Sequence, residues 1–283
     1  SLFKLNFSAG RYFQNPFNNQ LNSNRGTPDN LRSYFADQAV CGLEYFLKSD
    51  TRITLEYYEK KYDDLVTFEM LEGSDGKDSL NRAKLVNSGK GQSKGLELFI
   101  QKKYSDDWYG SFSWSHSFSE GVDPRTQKYY PWDYDYRNVV NVVGGYKIRY
   151  SQYPWYESYK KSWVAKAFSW LPFMPSDEFE ISLKYRYMGG RPYTPKHYDP
   201  TIREWYSNST DEWNTERYGN YSRFDLMIQQ RFNYEKVNLV AFWNIKNVAN
   251  RKNQHEYVYL EDGSKEMNWQ YTTMPIGGFI LEF

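Results

Sequence analysis

Trp108-Tyr109-Gly110-Ser111-Phe112-Ser113-Trp114-Ser115-His116-Ser117-Phe118-Ser119 alternates with a period of two. Trp108, Gly110, Phe112, Trp114, His116 and Phe118 hold one parity; Tyr109 and five serines hold the other. Successive side chains of a strand point to opposite faces, so the stretch predicts a strand with one aromatic and one hydroxyl face. Two settings suit it. In a soluble sandwich the aromatic face packs inward and the serines meet water. In a membrane barrel the aromatic face meets lipid and the serines line a hydrated lumen.

The neighbouring segments repeat the pattern. Leu96, Leu98 and Ile100 alternate with Glu97, Gln101 and Lys103 across 95–104. Val140, Val142, Tyr146 and Ile148 alternate with Arg137, Asn141, Lys147 and Arg149 across 137–150. Phe179, Ile181, Leu183, Tyr185 and Tyr187 do so across 179–188, and Phe224, Leu226, Ile228 and Phe232 across 223–232. Each run is about ten residues, the length that a tilted strand needs to cross a bilayer. Further strands are predicted at 2–12, 38–48, 51–66, 236–247 and 272–283. The connections sort by parity. Tight turns fall at Ser49-Asp50, Ser105–Asp107 and Tyr234-Glu235, whereas long connections cover 13–37, 67–90, 119–134, 190–221 and 248–271. Short periplasmic turns and long external loops are the habit of outer-membrane barrels. A Greek-key sandwich has no reason to sort its loops this way.

Composition agrees with that choice. The 283 residues include 18 Phe, 28 Tyr and 10 Trp, and the amphipathic Tyr suits a boundary between apolar and wet phases. A mean hydropathy of −0.87 does not argue against a membrane barrel, because lipid meets only every second residue. The 36 basic and 35 acidic residues leave a net charge of +1, which offers no electrostatic footprint for nucleic acid. Cys41 stands alone and forms no internal disulfide or thiolate zinc site. His116 lies on a strand while His197 and His255 fall in separate loops, so no pair has metal-ligand spacing. Ser113 and Ser115 lack a nucleophile-elbow sequence. The expectation is therefore a non-enzyme without metal or cofactor.

One connection breaks the rule. Residues 151–177 lie on the side of the tight turns, yet they run for some 27 residues and carry Tyr153, Trp155, Tyr156, Tyr159, Trp163, Phe168, Trp170 and Phe173. Trp163, Ala167 and Trp170 or Leu171 have helical spacing within Lys160–Leu171. The spacing predicts a short helix in the inner-leaflet headgroup region, aromatic face down; an irregular loop folded over the barrel mouth is the other reading.

Motifs along nearly the whole chain fit one family in combination: Gly10-Arg11-Tyr12-Phe13-Gln14-Asn15-Pro16, Gly42-Leu43-Glu44-Tyr45, Tyr57 to Leu65, Asn87-Ser88-Gly89, Lys94-Gly95-Leu96-Glu97, Tyr134-Asp135-Tyr136-Arg137-Asn138, Gly189 to Pro195, Arg223-Phe224-Asp225-Leu226 and Asn247 to Asn253. The chain resembles the C-terminal part of the barrel of a TonB-dependent outer-membrane receptor. Its ending resembles the signal read by the barrel assembly machinery, with small Gly278, apolar Leu281 and aromatic Phe283, although Ile276 replaces the usual polar residue. Asn138 likewise stands where the family often has His. The resemblance implies an all-β fold: a transmembrane antiparallel up-and-down barrel, about ten strands of a 22-stranded whole, with long external loops. It implies a location in the outer membrane of a Gram-negative bacterium, with outer-membrane lipids, a plug domain, the remaining barrel strands and TonB, acting through the plug, as partners. Plug and signal peptide are not read in residues 1–283, so the chain is expected to be the C-terminal part of a longer polypeptide; a split barrel half or a small closed pore are the other readings.

Function is expected on the inward parity and in the external loops. Near the external end the inward positions are read as Lys60, Lys94, Glu97, Asp135, Arg137, Arg186, Arg223, Asp225, Asn244 and Lys246, a charge density costly in a dry core and suited to a hydrated lumen or to contacts with a plug. Lys60, Glu97, Arg137, Arg186, Arg191, Tyr193, Trp205, Trp213, Arg223 and Asp225 are the candidate ligand-binding residues. The resemblance implies gated uptake of a scarce nutrient: a metal chelate, a cobalamin-like molecule or an oligosaccharide. The alternative is a scaffold or adhesion barrel whose loops bind a surface lipoprotein or another protein. A soluble β-protein that binds carbohydrate is a third reading, and it predicts extraction without detergent.

Overall fold

The computed structural model describes residues 2–21, 31–70, 83–123, 126–207 and 212–283. Its strands, in chain order, are β1 (Phe3–Gln14), β2 (Tyr34–Lys48), β3 (Thr51–Met70), β4 (Ala83–Ser105), β5 (Trp108–Val122), β6 (Tyr129–Pro131), β7 (Asn138–Ile148), β8 (Glu178–Met188), β9 (Pro192–Tyr193), β10 (His197–Asp199), β11 (Glu204–Tyr206), β12 (Glu216–Arg217), β13 (Tyr221–Asn233), β14 (Asn238–Lys246), β15 (Gln254–Tyr259), β16 (Lys265–Trp269) and β17 (Met274–Glu282). Ten of them form one antiparallel wall in the order β1-β2-β3-β4-β5-β7-β8-β13-β14-β17, with β6 added beside β5. Each wall strand pairs with the next wall strand along the chain, which is the up-and-down order predicted from the alternation. The tips of the predicted long connections at 22–30, 71–82, 124–125 and 208–211 lie outside the described residues.

Register sorts the two faces. Ser113, Asn141, Arg186 and Arg223 are successive cross-strand partners from β5 to β13 and form a polar row, which Phe99 of β4 closes at one side. Leu55, Leu98, Trp114, Val140 and Tyr187 form the apolar row on the opposite face. Large apolar residues of that face stand open in mid-wall, as Leu183 does at 55% exposure. A buried sandwich core has no such face; lipid is the medium it fits. On β17, Gly278 faces Phe242, Leu281 faces Leu239, and Phe283 follows the last paired residue.

The tight turns have local causes. Asp106 and Asp107 adopt left-handed φ values of 50° and 63°, which a two-residue hairpin turn requires and Asp tolerates. Asp50 accepts hydrogen bonds from Thr51 at 2.8 Å and from Ser105, and it pairs with Lys102 at 3.0 Å. At the other end, Asn247 and Asn250 also have positive φ, and the Asn247 side chain bonds the backbone of Arg251 in both directions. Asn253 bonds the backbone of Ser222 in both directions as well. The asparagines spaced by three thus act as turn formers.

Besides α1 (Asn18–Leu21), the helices are α2 (Pro154–Lys161) and α3 (Trp163–Phe168), preceded by a 3-10 turn at Tyr150–Gln152. In place of the single helix expected over Lys160–Leu171 there are two short ones, the first starting earlier, at Pro154, and the second lying within that range. Pro154 sets the first helical position, and Ser162 is extended, its Oγ accepting from the Ala165 amide at 3.2 Å. A capping serine ends one helix and opens the next.

Candidate external ligand site

At the end of the wall opposite the tight turns, three two-stranded sheets build an external layer: β9 with β12, and the hairpins β10–β11 and β15–β16. The chain enters this layer at Gly189-Gly190. A Cβ on Gly189 would stand 2.1 Å from the Tyr136 carbonyl oxygen, and one on Gly190 would stand 1.9 Å from that of Tyr218. Only glycine permits these backbone crossings. Asp135, with a fully buried carboxylate, accepts from Arg217 at 2.6 Å, Arg137 at 2.8 Å and the Ser119 amide at 3.1 Å. Asn214 donates to the Pro131 carbonyl and to Asp133, both at 2.8 Å. The layer is therefore fastened to the β5–β7 connection.

Aromatic rings fill it. Tyr193 lies 4.4 Å from Tyr218 and 5.5 Å from Tyr257, centroid to centroid, and its hydroxyl bonds Glu216. Burial, reinforced by that carboxylate, pushes the Tyr193 hydroxyl far above the usual phenol range, so it stays a neutral donor. Trp205 packs on Tyr259 at 4.7 Å and donates its indole N–H to the Leu260 carbonyl at 2.7 Å. The Arg191 guanidinium sits 5.1 Å above the Tyr218 ring and donates to the His255 carbonyl at 3.1 Å. Beside it opens a cavity of about 630 Å³ lined by Tyr136, Arg191, Tyr218, His255, Trp269 and Tyr271, among others.

The predicted residues thus divide. Arg191, Tyr193 and Trp205 come together in the external layer. Arg186 and Arg223 are register partners on the lumen face, where Arg186 donates to Asn141 at 2.9 Å and Arg223 pairs with Asp225 at 3.0 Å. Asp225 is buried, accepts from the Asn247 amide at 2.9 Å and also meets Lys246, so it anchors a turn. Lys60 and Glu97 face the lumen on β3 and β4, well along the wall from the arginines, with Lys60 5.4 Å from the Tyr58 ring. Trp213 packs apart from the Arg191 group, 5.7 Å from Tyr130. Two inward assignments are corrected. Lys94 opposes Glu59 and Phe118 on the outward parity. Arg137 has a left-handed φ of 60°, which carries its guanidinium to 4.1 Å above the outward-parity ring of Phe118.

Arg217 and the rings of Tyr257, Tyr259, Trp269 and Tyr271 were not among the predicted residues. Their signal is the second alternation, His255, Tyr257 and Tyr259, inside a stretch read as one loop.

An antiparallel wall with a lipid-facing side, a polar lumen side and an aromatic external layer defines a membrane β-barrel of the outer-membrane type. The family model described as TonB dependent receptor-like, beta-barrel matches residues 2–248, and the chain belongs to that family. It is a family of transport receptors of the Gram-negative outer membrane rather than of enzymes. Among solved structures, the chain is similar to the pyoverdine outer membrane receptor FpvA from Pseudomonas aeruginosa at 14% identity and a TM-score of 0.62, covering 99% of this chain and 34% of that one. It is similar to the ferric-catecholate import receptor Fiu of E. coli K12 at 11% identity and a TM-score of 0.60, with 99% and 33% covered. The copper transporter OprC follows at 12% identity and a TM-score of 0.57, with 98% and 36% covered. This chain spans about a third of the length of these proteins. No curated protein matches it.

Proposed function

We propose that this chain supplies barrel wall and external loops to a receptor for TonB-dependent uptake of a scarce nutrient, and that the ligand is a metal chelate. The observation that carries the reading is the external cavity of about 630 Å³, with one guanidinium, Arg191, set among Tyr136, Tyr218, Trp269 and Tyr271. Aromatic faces hold flat, partly apolar ligands, and a guanidinium supplies a fixed positive charge for an anionic group. Similarity to receptors whose names include pyoverdine and ferric catecholate supports a chelate over an oligosaccharide or a cobalamin-like molecule. Deeper in the lumen, Arg186 has a neutral partner, Asn141, and keeps its charge available to a descending anion. A plug domain and the remaining barrel strands would complete the receptor, with TonB acting through the plug, and the barrel assembly machinery would read Gly278, Leu281 and Phe283.

The test is binding and uptake by the complete receptor, using ferric chelates of catecholate and hydroxamate type as probes. Arg191→Ala and Tyr218→Ala are each expected to weaken binding about tenfold, equivalent to about 1.4 kcal/mol, while Arg186→Ala slows uptake more than it weakens binding. Unchanged binding in the first two variants overturns the site. Capture of a surface lipoprotein, with no uptake of either probe, would favour a scaffold barrel.

A further inference from the structure

The helical insertion between β7 and β8 packs on the outward face of the wall, not in its lumen. Phe179, Gln230 and Ala241 are cross-strand partners on β8, β13 and β14, in the same parity as Leu183 and Phe224. Toward the middle of the wall that face is open, with Leu183 55% and Phe224 45% exposed; at this end Phe179, Gln230 and Ala241 fall to 6%, 0% and 1%. The cover is fastened by name. The Gln230 amide nitrogen donates to the carbonyls of Ser169, Leu171 and Met174 at 3.2, 3.0 and 2.8 Å. Lys160 pairs with Asp177 at 3.0 Å and reaches the Asn233 carbonyl at 3.3 Å. A bare glutamine at a lipid-facing position would leave its amide unsatisfied in hydrocarbon, so the wall at Gln230 is made for this cover.

The cover has an outer surface of its own. Tyr156 and Ala165 point toward the wall side and are buried, whereas Trp155, Trp163, Phe168, Trp170 and Phe173 stand 48%, 73%, 42%, 48% and 63% exposed. Lys161 and Lys166 are exposed among them, without an ion-pair partner among the described residues. Because the insertion stands on the lipid-facing wall, its outer surface is continuous with the surface that meets the bilayer. It sits at the end of the tight turns, where the barrel passes from hydrocarbon to the periplasmic headgroups.

We propose that residues 150–177 form an aromatic foot seated in the periplasmic leaflet, with phospholipid as its occupant. The indole and phenyl rings enter the boundary between headgroups and acyl chains, and Lys161 and Lys166 meet anionic headgroups. The foot widens the barrel's grip on one leaflet at a single sector of its circumference.

The complete receptor tests this in nanodiscs of zwitterionic and anionic phospholipid. With native cysteines replaced, Cys41→Ser included, a fluorophore is placed at Trp163→Cys or, for reference, at Glu235→Cys in a tight turn. Trp163 is so exposed that the substitution leaves the wall untouched. The expected result is several-fold weaker quenching by aqueous iodide at position 163 than at 235, with strong quenching by a headgroup-level nitroxide lipid. In the same background, Lys161→Gln with Lys166→Gln should reduce that quenching more in anionic than in purely zwitterionic discs. Equal iodide access at the two positions overturns the proposal. Shielding from iodide that persists in lipid-free amphipol with a doubled particle mass assigns the face to a second copy and overturns it too.

Discussion

Asp50 shows what one side chain does at a wall end. Ser105 foremost, then Lys102 and Thr51, stabilise its ionised carboxylate and hold it well below the usual carboxylate range. A folded pKa below the unfolded one means that the native state binds fewer protons, so its contribution is complete above 3.8 and is lost as pH falls through the folded value. Asp50→Asn should therefore lower the temperature of the heat-induced mobility shift at neutral pH by a small amount, small because a half-buried pair in a surface turn is still partly screened by solvent. The difference from the native protein should shrink only under strongly acidic conditions. A constant difference down to the lowest pH, or one already lost near pH 5, would count against this assignment. Residue-scale geometry is also where sequence reading reaches its limit. Parity counting assumes extended backbone, and Arg137 leaves that assumption at φ 60°. Its number places it inward; its dihedral turns it out.

At the scale of elements, the insertion depends on one glutamine. Gln230→Leu keeps the volume and suits lipid, yet it removes the donor that three carbonyls share; the Leu171 carbonyl keeps the Met174 amide, whereas those of Ser169 and Met174 lose this partner, and an acceptor left unsatisfied costs about 1–3 kcal/mol where it is buried. The variant should expose 150–177 to protease in detergent while the wall strands stay protected. Cleavage unchanged from the native protein would show that Phe179, Ile228 and Phe232 hold the cover without it. Gln230 also marks what was legible. In sequence it interrupts the apolar parity of Phe224, Leu226, Ile228 and Phe232, and that interruption is the trace of the cover. The ten wall strands were readable because lipid on one side and water on the other impose alternation. Where both faces are wet the signal fades. β4 runs from Ala83, although alternation shows only from residue 95, and β15 and β16 occupy a stretch read as loop. The two helices were legible only as one, since Ser162 lies within helical spacing but caps rather than continues.

The whole molecule is an open sheet with two unpaired edges among the described residues, β1 and β17. On β1, Phe3, Leu5 and Phe7 are 58%, 81% and 76% exposed on the outward parity. Apolar exposure suits lipid, but the free backbone donors and acceptors along each edge do not, at several kcal/mol for each unsatisfied group in hydrocarbon. Ten strands curled alone would form a narrow barrel whose lumen must also hold the side chains of Arg186, Arg223, Lys60 and Glu97, with the external layer above it. Pairing with further strands relieves both edges and leaves a lumen broad enough for a plug, as barrel diameter grows with strand number. The expected outcome is that a polypeptide carrying these residues, extracted by detergent from outer membranes and fully denatured, migrates far above 33.9 kDa. Unheated, it should run as one compact species. Two denatured bands that co-purify would place the missing strands on a separate chain. A single band near 33.9 kDa would require β1 to meet β17 directly, and the external cavity would then crown a small pore instead of a plugged receptor.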